Sequence, residues 1–206
     1  RLLWAPLLAY AFWLEEELRL AEALDVVDTA LRLNDGSAVN EEIAAMLQRG
    51  RVLRLVGRFD EARGAYDNAR RRAITVGDMH SALLSRVGDA IVMKQVGNLS
   101  ESEKALRAIL RDAREAGDSD AQARALHDLG AVLVHMGKSQ EAILHIYHAF
   151  ELYERPTHKL RALSDVGEGL KREGRYPAAR DAFMAVLNGA TEEMRPGTMI
   201  ALLELS

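Results

Sequence analysis

The feature of this sequence that most constrains its fold is an internal repeat. A glycine followed five residues later by a small residue recurs at nearly regular spacing in the segments Gly57–Ala62, Gly97–Ser102, Gly137–Ala142 and Gly174–Ala179. The leading glycines are separated by 40, 40 and 37 residues. A fainter copy places Leu18 39 residues before Gly57, and residues 196–206 look like the start of a sixth copy. Recurrence at such a period indicates an array of similar units that stack to bury a shared core.

Each copy has helical periodicity on both sides of its leading glycine. In the fourth copy, small or apolar residues lie at positions i, i+3, i+4 and i+7, namely Leu126, Leu129, Gly130 and Leu133. A second face with Ala142, Ile146 and Ala149 follows Gly137. Spacing of this kind is typical of amphipathic helices, so each copy is predicted to be a helix hairpin that turns at its glycine.

Two further patterns support hairpins that stack. The pair Gly-Asp recurs one period apart, at residues 77–78 and 117–118, where glycine can end one helix and aspartate can cap the next. A small residue also stands seven positions before each leading glycine, at Gly50, Ala90, Gly130 and Gly167. We expect it to meet the small residue of the second helix, so that two antiparallel helices can approach closely.

These residues resemble the tetratricopeptide repeat, as in the pairs Leu129-Gly130, Met136-Gly137 and Glu141-Ala142. The resemblance extends over essentially the whole chain, and HEAT and armadillo repeats lack the paired small residues. It implies an all-α fold, an α-solenoid (right-handed superhelix) of stacked antiparallel helix hairpins. The period exceeds the usual family length of about 34 residues. Similar long-period arrays with Gly-Asp between hairpins occur in bacterial regulatory proteins.

The repeats predict one continuous array over residues 1–206. Its expected repeats are residues 4–36, 43–77, 83–117, 123–156 and 160–190, with a partial repeat at 196–206. Apolar, helix-like runs reach both ends of the sequence, so we expect the chain to be a fragment of a longer protein.

Composition excludes several classes of protein. The 27 Lys and Arg against 31 Asp and Glu leave a formal charge of −4, which argues against direct nucleic-acid binding. The absence of cysteine excludes disulfides and thiolate metal sites. The apolar run at residues 2–14 is shorter than the roughly 20 residues that span a bilayer and lacks the features of a signal peptide. We therefore expect a cytoplasmic protein that does not enter a membrane.

No residue pattern indicates an enzyme, a metal or a cofactor. The run Gly137-Lys138-Ser139 lacks the earlier glycine of a phosphate-binding loop, since Val132 occupies that position. His145 and His148 are three residues apart on one helix but flank its buried positions, which favours surface histidines over metal ligands. Carboxylate runs such as residues 15–17 are interpreted as solvated helix surface. We expect no catalysis and no bound cofactor.

In the resembled family, the first helix of each hairpin lines a concave groove that binds peptides or helices. Five positions per repeat usually face this groove, and seven of the twenty in copies two to five are Lys or Arg, against one acidic residue. The charged and histidine residues among them are the candidate partner-binding residues: Arg51, Arg54, Lys94, Arg124, His127, His135, Arg161, Lys171 and Arg172. The ninth position holds no Asn, so the family's clamp for a peptide's terminal carboxylate is not expected.

A basic groove with an apolar floor suits an acidic, partly apolar protein or peptide, because Arg binds carboxylates with two hydrogen bonds. The alternative is that these arginines lie along helix sides with their stems packed and bind nothing. We expect a non-catalytic interaction scaffold.

Two other functions stay open. The chain could be the sensor arm of a bacterial transcription or signalling regulator that responds to a peptide or small effector. It could also self-associate through its apolar first hairpin, where the candidate interface residues are Trp4, Tyr10, Phe12 and Trp13, since exposed aromatic clusters usually mark interfaces.

Overall fold

The leading glycines of the repeat stand in the turns between helices. The computed structural model describes residues 4–34 and 36–189, and each of Gly57, Gly97, Gly137 and Gly174 has a positive φ of 71–87° there. Within those residues are ten α-helices and no strand. The helices are α1 (Trp4–Glu16), α2 (Leu20–Arg32), α3 (Val39–Leu55), α4 (Phe59–Val76), α5 (Met79–Gln95), α6 (Leu99–Glu115), α7 (Ser119–His135), α8 (Ser139–Leu152), α9 (Pro156–Arg172) and α10 (Tyr176–Gly189).

The Gly-Asp pairs separate successive copies, as the sequence predicts. Gly77 ends α4 in the left-handed conformation, and the Asp78 side chain caps α5 by accepting a hydrogen bond from the Ser81 backbone N–H at 3.0 Å. Asp118 caps α7 in the same way through the Ala121 N–H at 2.9 Å. Each cap satisfies a backbone donor that the first turn of a helix leaves unpaired.

The turn between α1 and α2 lacks the glycine of the later copies. Leu18 holds that position with a φ of +58°, and 79% of its surface is exposed. A left-handed backbone conformation costs a residue with a Cβ atom roughly 1–2 kcal/mol. The first copy therefore has the same turn geometry as the others but with an unfavourable residue.

The described residues fall into two compact units, the first ending at Asn98 and the second beginning at Leu99. In unit 1, each of helices α1 to α5 packs on the next, and α3 also contacts α1 and α5. In unit 2, helices α6 to α10 pack in the same successive order, and α7 also contacts α9. Within each unit, the first helices of neighbouring copies thus lie side by side.

The small residue of the first helix packs mainly against a large side chain of the second helix. Its contact with the small residue of the second helix is secondary. A Cβ atom on Gly50 would lie 2.7 Å from the Tyr66 ring, and one on Gly167 would lie 2.7 Å from Phe183. In the fourth copy, Gly130 faces the Ile146 side chain, with the Ala142 carbonyl at 3.1 Å from the position of its Cβ. The two helices approach closely, as predicted. The residue that packs against the small residue of the first helix is, however, the large residue 16 positions after it and not the small residue of the second helix.

The all-α fold of stacked helix hairpins is confirmed. Four of the predicted repeats begin about four residues late, because α3, α5, α7 and α9 start at residues 39, 79, 119 and 156. Three of these helices begin at their N-caps Asp78 and Asp118 or at Pro156. The family pattern is counted from a position about one helical turn later. The predicted partial copy at 196–206 lies outside the described residues, and the single continuous array stays a prediction.

Candidate partner-binding surface

In unit 1, the predicted groove residue Arg51 is already engaged. Its Nε lies 2.7 Å from Glu15 Oε1, and its Nη2 donates a hydrogen bond of 2.7 Å to Glu15 Oε2, which joins α3 to α1. The guanidinium also lies over the Phe12 ring, 5.1 Å from the centroid. Glu15 is therefore not solvated helix surface as the sequence indicated, since only 11% of its side chain is exposed.

Arg54 lies one turn beyond Arg51 and is half-buried. Its Nε is buried and has no hydrogen-bond partner among the described residues. Burial raises the pKa of the neighbouring Tyr66 hydroxyl, and the positive charge of Arg54 opposes that rise. Arg54 thus contributes positive potential beside Arg51.

Lys94, the third predicted residue of unit 1, lies on α5 and is half-buried. No ion pair to Lys94 forms within residues 4–34 and 36–189. Its charge therefore stays available, whereas that of Arg51 is balanced by Glu15.

In unit 2, His127 connects three elements. Its Nδ1 lies 3.2 Å from the Tyr153 hydroxyl at the end of α8, and its Nε2 lies 2.7 Å from Asp165 Oδ2 on α9. Tyr153 is buried, which raises its pKa, and His158 packs edge-on against its ring with centroids 5.1 Å apart. This makes His127 a bridge between α7 and α9 as well as a predicted surface residue. The roles of Tyr153 and Asp165 were not predicted, because the contacts depend on how neighbouring hairpins stack.

The other predicted residues of unit 2 differ in how far their charges are balanced. Arg124 donates a hydrogen bond of 2.7 Å to Asp120, and Lys171 lies 3.5 Å from Glu168.

Arg161 and Arg172 on α9 are exposed, and neither forms an ion pair with another described residue. His135 is exposed, and its Nδ1 lies 2.7 Å from the Ala131 carbonyl oxygen of its own helix. The free positive charge of this surface is thus concentrated on α9.

The four aromatic candidates on α1 separate into two groups. Trp4 is buried in a cluster with Ala11, Val27 and Ala30. The other three are nearly half exposed, with Tyr10 and Trp13 stacked at 5.7 Å between ring centroids. The exposed aromatic surface of the first hairpin therefore consists of Tyr10, Phe12 and Trp13.

The histidines of α8 lie outside this surface. His145 is partly buried, and its Nε2 lies 3.5 Å from Glu141, one turn earlier. Burial lowers the pKa of His145, and Glu141 partly opposes that shift. Across the described residues, no three His, Asp or Glu side chains converge as metal ligands would.

None of the helices described is both long enough and apolar enough to cross a bilayer.

Comparison with known families confirms the resemblance seen in the sequence. Residues 79–155 match the family model of the tetratricopeptide repeat. Among curated proteins, none matches the chain in sequence. The long-period variant of the repeat stays a prediction.

Solved structures match over most of the chain. A Rap protein complexed with Competence and Sporulation Factor aligns with a TM-score of 0.79 and 14% identity, over 95% of this chain and 60% of that one. BtubC from P. vanneervenii aligns at 0.62 and 14%, over 87% and 76% of the two chains. A signal-transduction ATPase with a tetratricopeptide-repeat sensor, from Pyrococcus horikoshii, aligns at 0.68 and 13%, over 97% and 31%. At these identities the likeness concerns the fold, and the chain spans less than two thirds of the Rap protein and about a third of the ATPase.

Proposed function

We propose that this chain, which carries tetratricopeptide repeats, is a non-catalytic scaffold whose first helices bind an acidic, partly apolar protein or peptide segment. The fold is in general one of protein–protein interaction scaffolds. The observation that carries the choice of an acidic partner is the pair Arg161 and Arg172 on α9. Both are exposed and without an ion pair in the described part of the chain, although the protein as a whole carries a formal charge of −4.

An unpaired exposed guanidinium gains more from a partner's carboxylate than one that must first break an ion pair within its own chain. Arg161 and Arg172 break no ion pair with another described residue when they bind, and Arg presents a planar fork that matches a carboxylate. The apolar part of the partner would supply burial energy, which is the larger contribution in most interfaces.

The test uses a fluorescein-labelled peptide of alternating Glu and Leu, with binding followed by fluorescence polarisation. Reversing both charges with Arg161→Glu and Arg172→Glu should weaken binding about tenfold, because exposed pairs contribute up to about 1 kcal/mol each. The matched control is Arg114→Glu with Arg180→Glu, which makes the same change in net charge on exposed positions of α6 and α10.

Three results would count against the proposal. Equal losses in both double variants would mean that the peptide responds to net charge alone. Equal binding of a Lys-Leu peptide would remove the argument for an acidic partner. Affinity that does not fall as salt is added would exclude the electrostatic contribution, since exposed charges are screened within about 10 Å at 0.1 M salt.

A sensor arm of a bacterial regulator is the first alternative, and the sensor repeats of the Pyrococcus ATPase are the comparison that favours it. The same peptide would then shift the helix packing rather than only occupy a surface. Limited proteolysis with and without saturating peptide distinguishes these functions, because a passive scaffold keeps its cleavage pattern outside the binding surface.

Self-association is the second alternative, and the exposed aromatic surface of α1 favours it. If it is correct, Trp13→Glu with Tyr10→Glu should convert an oligomer to a monomer in sedimentation analysis. The control is Tyr176→Glu, which alters an exposed aromatic residue in unit 2. A wild-type chain that sediments as a monomer contradicts this alternative. We place all three functions in the cytoplasm.

A further inference from the structure

The Arg51 guanidinium in unit 1 already binds a carboxylate, which comes from its own chain. Both oxygens of Glu15 lie 2.7 Å from guanidinium nitrogens, but only the Nη2 contact is a hydrogen bond, and the buried Nε has no hydrogen-bond partner among the described residues. A hydrogen bond between two ionised groups of this kind is among the stronger ones in proteins. Arg51 differs from Arg19 and Arg58, which bind carboxylates of their own helix, because its carboxylate comes from a different helix and its guanidinium also lies over an aromatic ring.

The site is only partly filled by Glu15. The Arg51 side chain keeps 37% of its surface exposed, and the Phe12 ring below it is itself 43% exposed. A guanidinium has five N–H donors, of which a single carboxylate can occupy two at once. The guanidinium edge and the aromatic ring are both accessible to an approaching molecule.

Glu15 itself lies in an unfavourable position for a carboxylate. It belongs to the last turn of α1, where the helix dipole disfavours negative charge, and Glu16 adds further repulsion. Burial raises the pKa of Glu15, and the charges of Arg51 and Arg54 only partly oppose that rise. The ion pair thus has a low net stability, because its Coulomb attraction is offset by desolvation.

We infer that Arg51 on the Phe12 ring is a carboxylate-binding subsite that Glu15 fills in the free protein and that an acidic side chain of the partner takes over by displacing Glu15. The inference rests on the proposed function, since it takes the partner to be acidic. It differs from a clamp of Lys and Asn, because the competing carboxylate belongs to the protein. Glu15 then lowers the affinity of Arg51 for every other carboxylate, and only partners whose carboxylates displace Glu15 bind at this subsite.

The test compares Glu15→Gln with Glu16→Gln in binding the same Glu-Leu peptide. Both variants remove one negative charge at neighbouring positions, but Glu16 is exposed and forms no ion pair among the described residues. Glu15→Gln should tighten binding about fivefold or more, whereas Glu16→Gln should change it less than about twofold. Adding Arg51→Gln to Glu15→Gln should remove the gain, and thermal unfolding should establish that each variant is folded.

The possible outcomes separate the two claims. Equal affinities for Glu15→Gln and Glu16→Gln, with the wild type binding the peptide, overturn the subsite and leave the proposed function intact. A gain that persists without Arg51 also overturns it. Absence of binding by the wild type and all three variants contradicts the acidic partner, and with it this inference.

Discussion

At the scale of single residues, the turn of the first hairpin shows how sequence and backbone geometry can disagree. Leu18 adopts a φ of +58°, whereas the equivalent Gly57 has a φ of +80° and open space around its Cβ position. Both turns use a positive φ, which glycine adopts without strain and leucine adopts at a cost in free energy. The first hairpin should therefore be less stable than the same hairpin with glycine at its turn.

Replacing Leu18 with glycine should stabilise the protein. The left-handed strain of about 1–2 kcal/mol is relieved, and the extra freedom of glycine in the unfolded chain takes back roughly 0.4–1 kcal/mol. We expect a net gain of about 0.5–1 kcal/mol in urea unfolding. The reciprocal change Gly57→Leu should lower stability, and a stability loss for Leu18→Gly would contradict the strain argument.

A second residue, His158, should make the protein sensitive to acid. Burial lowers its pKa below the ordinary value of 6.5, with Arg124 and Arg155 acting in the same direction. Because the unfolded chain then binds more protons than the folded chain, the free energy of unfolding falls as pH drops through and below 6.5. The drop in melting temperature from about pH 7.5 to about pH 5.5 should be smaller in His158→Gln. An unchanged drop in this variant would contradict the assignment.

The charged residues of the candidate surface could be predicted only in part. Arg51 and Arg54 stand at positions where the repeat pattern places partner-facing residues. Glu15 is 36 residues from Arg51 and belongs to a run of three glutamates, so nothing in the sequence indicates which of the three turns inward. The pairing depends on the stacking of α1 on α3, which a repeat pattern fixes only approximately.

At the scale of elements, two hairpins pack a glycine of the first helix against an aromatic ring of the second, Gly50 against Tyr66 and Gly167 against Phe183. Tyr66 on α4 packs against Gly50 on α3 and also against Gly88 on α5, so one side chain joins two hairpins of unit 1. The ring is buried, and no room is left for a Cβ atom at either glycine. Close packing of this kind makes the spacing of the three helices sensitive to a single methyl group.

Gly50→Ala tests this packing. A methyl group 2.7 Å from the Tyr66 ring forces the ring or the helices to move, and overpacking typically costs about 1–3 kcal/mol. Gly64→Ala is the matched control, because Gly64 lies on the exposed side of α4 with open space around it. That change should instead add about 0.5–1 kcal/mol from helix propensity. Equal effects in urea unfolding would show that the contact with Tyr66 does not matter.

The helices themselves were largely predictable. The leading glycines identified every turn between first and second helices from Gly57 onward, because the positive φ of a tight turn favours glycine. The first turn was recognised only by its spacing, since Leu18 gives no chemical signal. The starts of the first helices are predicted less accurately, because the family pattern is counted from a position about four residues after the caps Asp78 and Asp118.

At the scale of the whole molecule, the formal charge of −4 conceals an uneven distribution of free charge. Many arginines are balanced by a carboxylate on their own or a neighbouring helix, as Arg49 is by Asp28 at 2.6 Å. Lys94, Arg161 and Arg172 are not balanced in this way within the described ranges, and neither are Arg114 on α6 and Arg180 on α10. A net-acidic protein can therefore attract an acidic partner locally, and the proposed function assigns that role to the cations of the first helices.

Photo-crosslinking shows which helices a bound acidic peptide contacts. A Glu-Leu peptide that carries a benzophenone group is irradiated with the wild-type protein, and the adducts are located by mass spectrometry. We expect adducts on first helices, foremost on α9 near Arg161 and Arg172, and fewer adducts in the Arg161→Glu, Arg172→Glu variant. Adducts concentrated on the second helices α4, α6, α8 and α10 would contradict it.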